Sequence, residues 1–223
     1  GITHLVLDIK DNTGEVLYPS KYAAQKKNWK NFDRPDFDFI GTFIEAAHAR
    51  NMIIFAGMNI FADGQNIVKR GAIFDKHKKW QAINYVPRKG LLPVTEIEGK
   101  PTMFLNPALK EVQKYEIDVI KEVVRNYAFD GIMLDRARYD CIDSDFESKK
   151  MFEKFIGKKV EKFPEDIFEW RPNAEGGIDR VGGPYYHQWL TWRASVIYNF
   201  IKDVRTSIKK IKPECMLAAY TGA

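Results

Sequence analysis

Two carboxylates stand where this chain could do chemistry. In FDGIMLDRARYD, residues 129–140, an apolar run ends abruptly on Asp135, and Arg136, Arg138, Tyr139 and Asp140 follow at once. In LVLDIKD, residues 5–11, Asp8 and Lys10 close a second apolar run and Asp11 follows. An acid at the tip of a buried strand needs a partner or a ligand, because burying it alone is costly. Two carboxyl groups facing each other across about 5–5.5 Å or about 6.5–9.5 Å hydrolyse glycosidic bonds with retention or inversion. Asp135 is the first candidate, as nucleophile or base. Asp8, or a residue outside this chain, would be the acid, and burial or a like charge would keep its proton on. Arg136 and Arg138 would orient the carboxylate, or read a carboxylated sugar bidentately. The same residues fit a structural reading, with Asp135 in a salt bridge closing the mouth of the fold. Asp8 would then pair internally with Lys10, which shares its side-chain parity in a regular strand. Asn59 and Tyr220 end two further apolar runs and suit sugar hydroxyls. Lys10 and Tyr139 complete the candidate substrate contacts. Asp11 reads as turn chemistry.

Other chemistries find less in the sequence. No His, Cys, Asp and Glu set has metal-ligand spacing. No Gly-x-Ser-x-Gly elbow is present, and the glycine pairs at 176–177 and 182–183 lack a phosphate-loop pattern. Nothing calls for a cofactor or a metal. His48 reads as a packed or capping helix residue, His77 as surface, and His187 as the start of a helix beside a long loop. Cys141 and Cys215 form neither a disulfide framework nor a metal motif. The charge balance, 35 basic against 30 acidic residues, is +5. The lysines are spread as solvated helix faces, and no nucleic-acid motif accompanies them. With 45% hydrophobic residues the chain has material for a sizeable core. No apolar run reaches the roughly 18 residues that would span a membrane. The opening GITHLVLDIK reads as a strand rather than a signal peptide.

Four nearly continuous apolar runs must position the candidates: HLVLDI (4–9), MIIFAGM (52–58), GIMLD (131–135) and CMLAAY (215–220). Continuous rather than alternating runs suit parallel strands buried on both faces. Amphipathic helices are predicted between them. The first covers about 36–50, with Phe37, Ile40, Phe43, Ile44 and Ala47 on one stripe and Asp36 and Asp38 in its first turn. The second covers about 107–127, capped by Asn106 with Pro107 first, and its stripe is Val112, Tyr115, Val119, Val123 and Tyr127. A helix over about 145–160 opens on the capping box Ser144-x-x-Glu147. The last covers about 186–211, with Trp192, Val196, Phe200, Val204, Ile208 and Ile211 facing one way and Pro213 stopping it.

Alternating strands and helices imply a parallel sheet with helical crossovers. The helix-to-strand links are short, whereas the strand-to-helix links 10–35, 59–106 and 136–185 are long. All the long ones leave the C-terminal ends of strands, the face that carries the chemistry in parallel α/β proteins. Residues 80–105 read as a hairpin turning at EGK, and 163–186 as an ordered, irregular lid. Trp80, Tyr85, Trp170, Tyr185, Tyr186 and Trp189 lie in or beside these loops, suited to sugar faces or, more simply, to gluing the loops down. Four strands cannot close an eight-stranded barrel. The expected architecture is a single partial (β/α)8 TIM barrel over 1–223, with insertions at about 59–106 and 136–185.

Several stretches together resemble a known family. FLNPALKEVQKYEIDVIKEVVRNYAFDGIMLDRARYD resembles the Asn-Pro helix and Asp-Gly-Ile-x-x-Asp strand of glycosyl hydrolase-like family 10 proteins and their relatives. HLVLDIKDNTGEVLYPS is similar to their early strand and its Tyr-Pro-Ser. FIEAAHARNMIIFAGMNIF resembles their Ala-His-x-Arg-Gly helix and next strand, with Asn51 where glycine is usual. WLTWRASVIYNFIKDVRTSIKKIKPECMLAAY is similar to their Trp-Arg … Ile-Lys-x-x-Lys-Pro helix and next strand. The resemblance implies a TIM barrel acting on carbohydrate, commonly outside the cytoplasm, by carboxylate chemistry on O-glycosidic bonds. It also implies that a first strand and about three later ones have no counterpart here. One departure is RARYD, where relatives often place a second acid and aromatics, so the sugar pocket or the substrate charge differs. A barrel that binds carbohydrate without turnover, or a scaffold using its loops, are the alternatives.

Overall fold

The computed structural model describes residues 1–26, 37–71, 74, 77–141 and 146–221. In chain order the elements are β1 (His4–Lys10), α1 (Phe39–His48), β2 (Ile53–Asn59), β3 (Ala62–Gln65), β4 (Ile83–Val86), β5 (Gly90–Pro93) and β6 (Thr102–Phe104). They continue with α2 (Lys110–Asn126), β7 (Gly131–Asp135), α3 (Phe146–Ile156), β8 (Phe168–Pro172), β9 (Ile178–Gly182), α4 (Tyr186–Ile211) and β10 (Met216–Ala219). The four apolar runs form one sheet in the order β1–β2–β7–β10, and every neighbouring pair is parallel. This is a partial (β/α)8 barrel, with α1, α2 and α4 on one face of the sheet. The stripes of α1 (Ile40, Ile44, Ala47), α2 (Val112, Val119, Val123) and α4 (Phe200, Val204, Ile208) bury there in a single core with Ile54, Ile132 and Leu134.

Local chemistry sets the helix ends. Asp38 caps α1 by accepting the Gly41 N–H at 2.9 Å. Phe37 and Phe43 stay 37% and 40% exposed, off the buried stripe, and Asp36 lies outside the described residues. Helix α2 begins three residues later than the Asn-Pro signal predicts, with Leu109 at its cap. Asn106 instead closes a turn on the Ala108 N–H at 2.9 Å and donates to Ser148 Oγ at 3.0 Å. Gln113 then holds the Pro107 carbonyl at 2.8 Å. Thus a strong N-cap sequence was used for a loop anchor. Helix α3 is shorter than predicted, and residues 142–145, where its capping box would begin, lie outside the described residues.

The two long insertions build small sheets at the C-terminal ends of the strands. β3 pairs antiparallel with β6, β4 with β5, and β8 with β9. The hairpin expected at EGK turns instead at Pro87-Arg88-Lys89, where Arg88 takes φ 66° and Gly90 φ 81°. Glu98-Gly99-Lys100 instead leads into β6, which returns to β3. A second core joins α3, α4 and the later hairpin, through Phe152, Ile167, Phe168, Trp189 and Trp192. Tyr85 of β4 meets Phe168 of β8 edge-on at 5.8 Å, so the two insertions pack on each other. Trp170, Tyr185 and Tyr186 pack against the same cluster. Among the described residues no helix is long and apolar enough to cross a membrane.

Candidate active site

In-register partners of a parallel sheet share a face, so the pairing sorts side chains without further assumption. One layer of the inner face, opposite the helices, is Val6, Phe55, Gly131 and Met216. The next is Asp8, Gly57, Met133 and Ala218. Beyond it, at the rim, Asn59 of β2 stands in register with Asp135 of β7. Tyr220 extends β10 by donating its backbone N–H to the Leu134 carbonyl at 2.8 Å, and its side-chain parity follows Met216 and Ala218. The structure therefore brings Asn59, Asp135 and Tyr220 to one rim, with Asp8 a layer beneath.

Glycines make room on this face. A Cβ on Gly57 would lie 2.2 Å from Asp8 Oδ1, so the Asp8 carboxylate lies directly over the bare backbone of β2. Likewise the Phe55 ring covers Gly131. The Asp135 carboxylate is held by its own successor. Arg136 donates its backbone N–H to Oδ1 at 2.7 Å and brings Nε to 3.7 Å from Oδ2. Arg136 has φ 50°, a left-handed backbone that costs a non-glycine residue about 1–2 kcal/mol. The turn is secured from β2's side, where Ile60 N–H donates to the Asp135 carbonyl at 2.9 Å and Phe61 N–H to the Arg136 carbonyl at 3.4 Å.

Lys10 departs from expectation. The β1–β2 register shifts between Asp8 and Lys10, so that Asp8 opposes Gly57 while Lys10 opposes Met58. This bulge reverses the parity of everything after it. Lys10 therefore turns to the helix side and does not pair with Asp8. Its ammonium donates to both Glu116 carboxylate oxygens at 3.1 Å, to the Asn59 carbonyl at 2.8 Å and to the Ile60 carbonyl at 3.3 Å. Asp63 Oδ2 lies 3.4 Å away, and all three charged side chains have no exposed surface. A lysine so enclosed presents nothing to a sugar. Burial pushes Glu116 up to about 8, with Lys10 opposing and Asp63 adding to the rise. The Lys10 ammonium, despite burial, is held above its ordinary range by the same two carboxylates.

Tyr139 also departs from expectation. It is buried, with its ring 4.0 Å beneath the Arg193 guanidinium, and it serves packing rather than the rim. Arg138 holds its own loop, donating to the Tyr139 and Asp140 carbonyls at 3.0 and 3.3 Å over the Phe104 ring. Asp140 then accepts from Asn84 at 3.0 Å and pairs with Lys100, tying the loop after β7 to the preceding insertion. His48 binds Asp130 at 3.0 Å, far from the rim at the other end of β7. Sequence reasoning missed Glu116, Asp63 and Gly57. Glu116 had a signal, since Val112, Glu116, Val119 and Val123 keep helical spacing and put an acid on the apolar stripe. Gly57, inside a strand, marks a close approach. Asp63 had no such mark.

Residues 2–219 match the family model described as glycosyl hydrolase-like 10. The chain belongs to that family. It is 31% identical to an S-layer-related protein of Niallia circulans, over all of this chain and 15% of that one. It is 21% identical to the glycosyl hydrolase YngK of Bacillus subtilis (strain 168), over 96% of this chain and 35% of that one. It thus spans about a third or less of these relatives' lengths. The PgaB (BpsB) glycoside hydrolase domain of Bordetella bronchiseptica superposes with a TM-score of 0.64 at 13% identity, over 97% of this chain and 54% of that one. That likeness fixes the fold as part of a TIM barrel.

Proposed function

We propose that this member of the glycosyl hydrolase-like 10 family contributes the carboxylate of a glycan-hydrolysing site, with Asp135 as nucleophile or base. The observation that carries the reading is the shared rim: Asn59, Asp135 and Tyr220 meet at the C-terminal ends of adjacent parallel strands. That end is where barrel enzymes place their chemistry. Arg136 orients the carboxylate, Tyr220 receives sugar hydroxyls or a sugar face, and Asn59, whose Oδ1 is buried, offers the remaining hydrogen of Nδ2. The family membership, and the names of the relatives, support carbohydrate as the substrate class and a place outside the cytoplasm. Arg136, beside Asp135, is the group on which a carboxylated glycan would bear, since Arg138 is engaged by its own loop.

Asp8 lies two strands across and two residues down from Asp135, roughly 12 Å between Cα atoms from standard strand spacings. The ranges for retention and inversion are set between carboxyl groups rather than Cα atoms, so the offset leaves the acid to Asp8 or to another part of a complete barrel. It also favours a second reading, a carbohydrate-binding barrel without turnover. Turnover of a panel of neutral and acidic polysaccharides, with Asp135→Asn beside the wild type, separates the two. Loss of hydrolysis with binding retained supports the catalytic reading, and unchanged turnover in the variant removes Asp135 from it. Binding by the wild type without any hydrolysis selects the second reading.

A further inference from the structure

We infer that the buried Lys10–Asp63–Glu116 cluster is a positioning device for the rim, holding Asn59 and the Arg136 turn from the helix side of the sheet. The inference rests on the reading of Asn59 and Asp135 as the ligand-facing pair. The connections are continuous. Lys10 Nζ donates to the Asn59 carbonyl at 2.8 Å, and Asn59 Nδ2 returns a hydrogen bond to the Lys10 carbonyl at 3.3 Å. Nζ also donates to the Ile60 carbonyl at 3.3 Å, and the Ile60 N–H in turn holds the Asp135 carbonyl at 2.9 Å. The ammonium is therefore bonded to the backbone of Asn59 itself and lies two hydrogen bonds from the backbone of Asp135. Asn59 Oδ1 is buried and without a hydrogen-bond partner among the described residues, so the amide is fixed by its nitrogen and leaves an acceptor over.

The charges explain how the device is tuned. Glu116 on α2 faces Lys10 of β1 and Asp63 of β3, and burial together with the Asp63 charge pushes up the hydroxyl of its neighbour Tyr115. One cation against two carboxylates leaves a negative excess in a dry space, which is costly. A proton on Glu116 removes that excess, and burial favours it. With Glu116 protonated, the ammonium is shared between Asp63 and the carbonyls of Asn59 and Ile60. Once Glu116 ionises, it competes with those carbonyls for the same N–H donors. Rim geometry is therefore coupled to one buried proton on the far side of the sheet.

The test uses the whole chain and does not require activity. The Asn59 side-chain amide and the Arg136 backbone amide are followed by NMR from pH 6 to 9.5 in the wild type and in Glu116→Gln, which keeps the shape and a neutral partner. Both signals are expected to move together in the wild type with a midpoint near 8, and to stay still in the variant. Static wild-type signals, or an unchanged midpoint in Glu116→Gln, would overturn the inference. Glycan binding over the same range is read in parallel. Moving signals with no glycan bound would remove the site reading and leave the positioning intact. A bound glycan with affinity independent of pH in both proteins, and still signals, would remove the positioning and leave the site.

Discussion

On the helix-facing side of the sheet, Lys10, Asp63 and Glu116 have no exposed side-chain surface, while on the inner side Asp8 is exposed and Asp135 is 36% exposed. Both groups lie towards the C-terminal ends of the same strands, and β1 contributes to both. One bulged residue sends Asp8 inward and Lys10 outward. The buried set is paired: each charge has an opposite partner within 3.4 Å, with one cation serving two carboxylates. The open set is held lightly, Asp135 by its own neighbour and Asp8 by the space above Gly57. A buried charge serves the fold only if paired, whereas a half-exposed one beside donors can still take a ligand. The same strand ends thus divide into a side that fixes geometry and a side that can use it.

The comparison breaks most sharply at Lys10. Lys10→Met leaves Asp63 and Glu116 without their cation, and the chain is expected to lose about 3–5 kcal/mol, as when one partner of a buried ion pair is removed. Denaturant titration reads the loss, and a change below about 1 kcal/mol would mean that water already reaches the cluster. Wild-type stability should also fall as pH rises from about 4.5, the ordinary value for Glu116, to about 8. Over that window the folded chain keeps a proton that the unfolded chain has released, so raising the pH favours unfolding. Glu116→Gln should remove this slope. On the inner side, Gly57→Ala drives a Cβ to 2.2 Å from Asp8 Oδ1 and 3.2 Å from the Asp8 Cα. A cost of about 1–3 kcal/mol follows from overpacking, and it should shrink when combined with Asp8→Ala, since the most severe contact is then gone.

The strand runs, their parallel pairing and the location of the long connections were all legible, because strands buried on both faces write themselves as continuous apolar runs. What such runs cannot show is which face a given residue takes. Asp8 and Lys10 are two apart and read as neighbours on one face, and only the bulge, a matter of backbone pairing, sends them apart. Asp135, Asn59 and Tyr220 were legible as strand ends, and their meeting followed from register, which no single strand encodes. Tyr139 and Arg138 read as rim residues because they follow Asp135 in sequence. The left-handed turn at Arg136 redirects the chain, and Tyr139 ends beneath Arg193, 54 positions away in the sequence. Asn106-Pro107 illustrates the converse, a good cap sequence overridden by Ser148 and Gln113. Glu116 was legible in spacing alone, had the stripe been drawn through it rather than through Tyr115.

A smaller effect sharpens the contrast at the opposite ends of the strands. Asp130 accepts the Ile54 N–H at 2.8 Å and binds His48 at 3.0 Å, and these hydrogen bonds hold its carboxyl below the usual range against the opposing pull of burial. Asp130→Asn is expected to cost about 1 kcal/mol near neutral pH. A lowered folded-state value means that this stability is present above about 3.8 and is lost as the pH falls through it. The variant should therefore lose least, relative to wild type, in acid. This is the opposite pH trend to that of Glu116, on the same protein and by the same measurement.

The smallest effect on stability belongs to Tyr220. Its side chain is 69% exposed at the rim, with little burial to lose, so Tyr220→Ala should change stability by no more than about 0.5 kcal/mol. If the rim is where sugar binds, the same substitution should weaken glycan binding several-fold, because an exposed ring beside Asp135 gives its surface to the ligand rather than to the core. Denaturant titration and a binding isotherm on one preparation read both quantities. A stability loss above about 1 kcal/mol would show that Tyr220 is covered in solution, and the open side of the sheet would then be a packing surface like the other. Unchanged affinity with unchanged stability would leave the ring idle and confine the ligand-facing set to Asn59, Asp135 and Asp8.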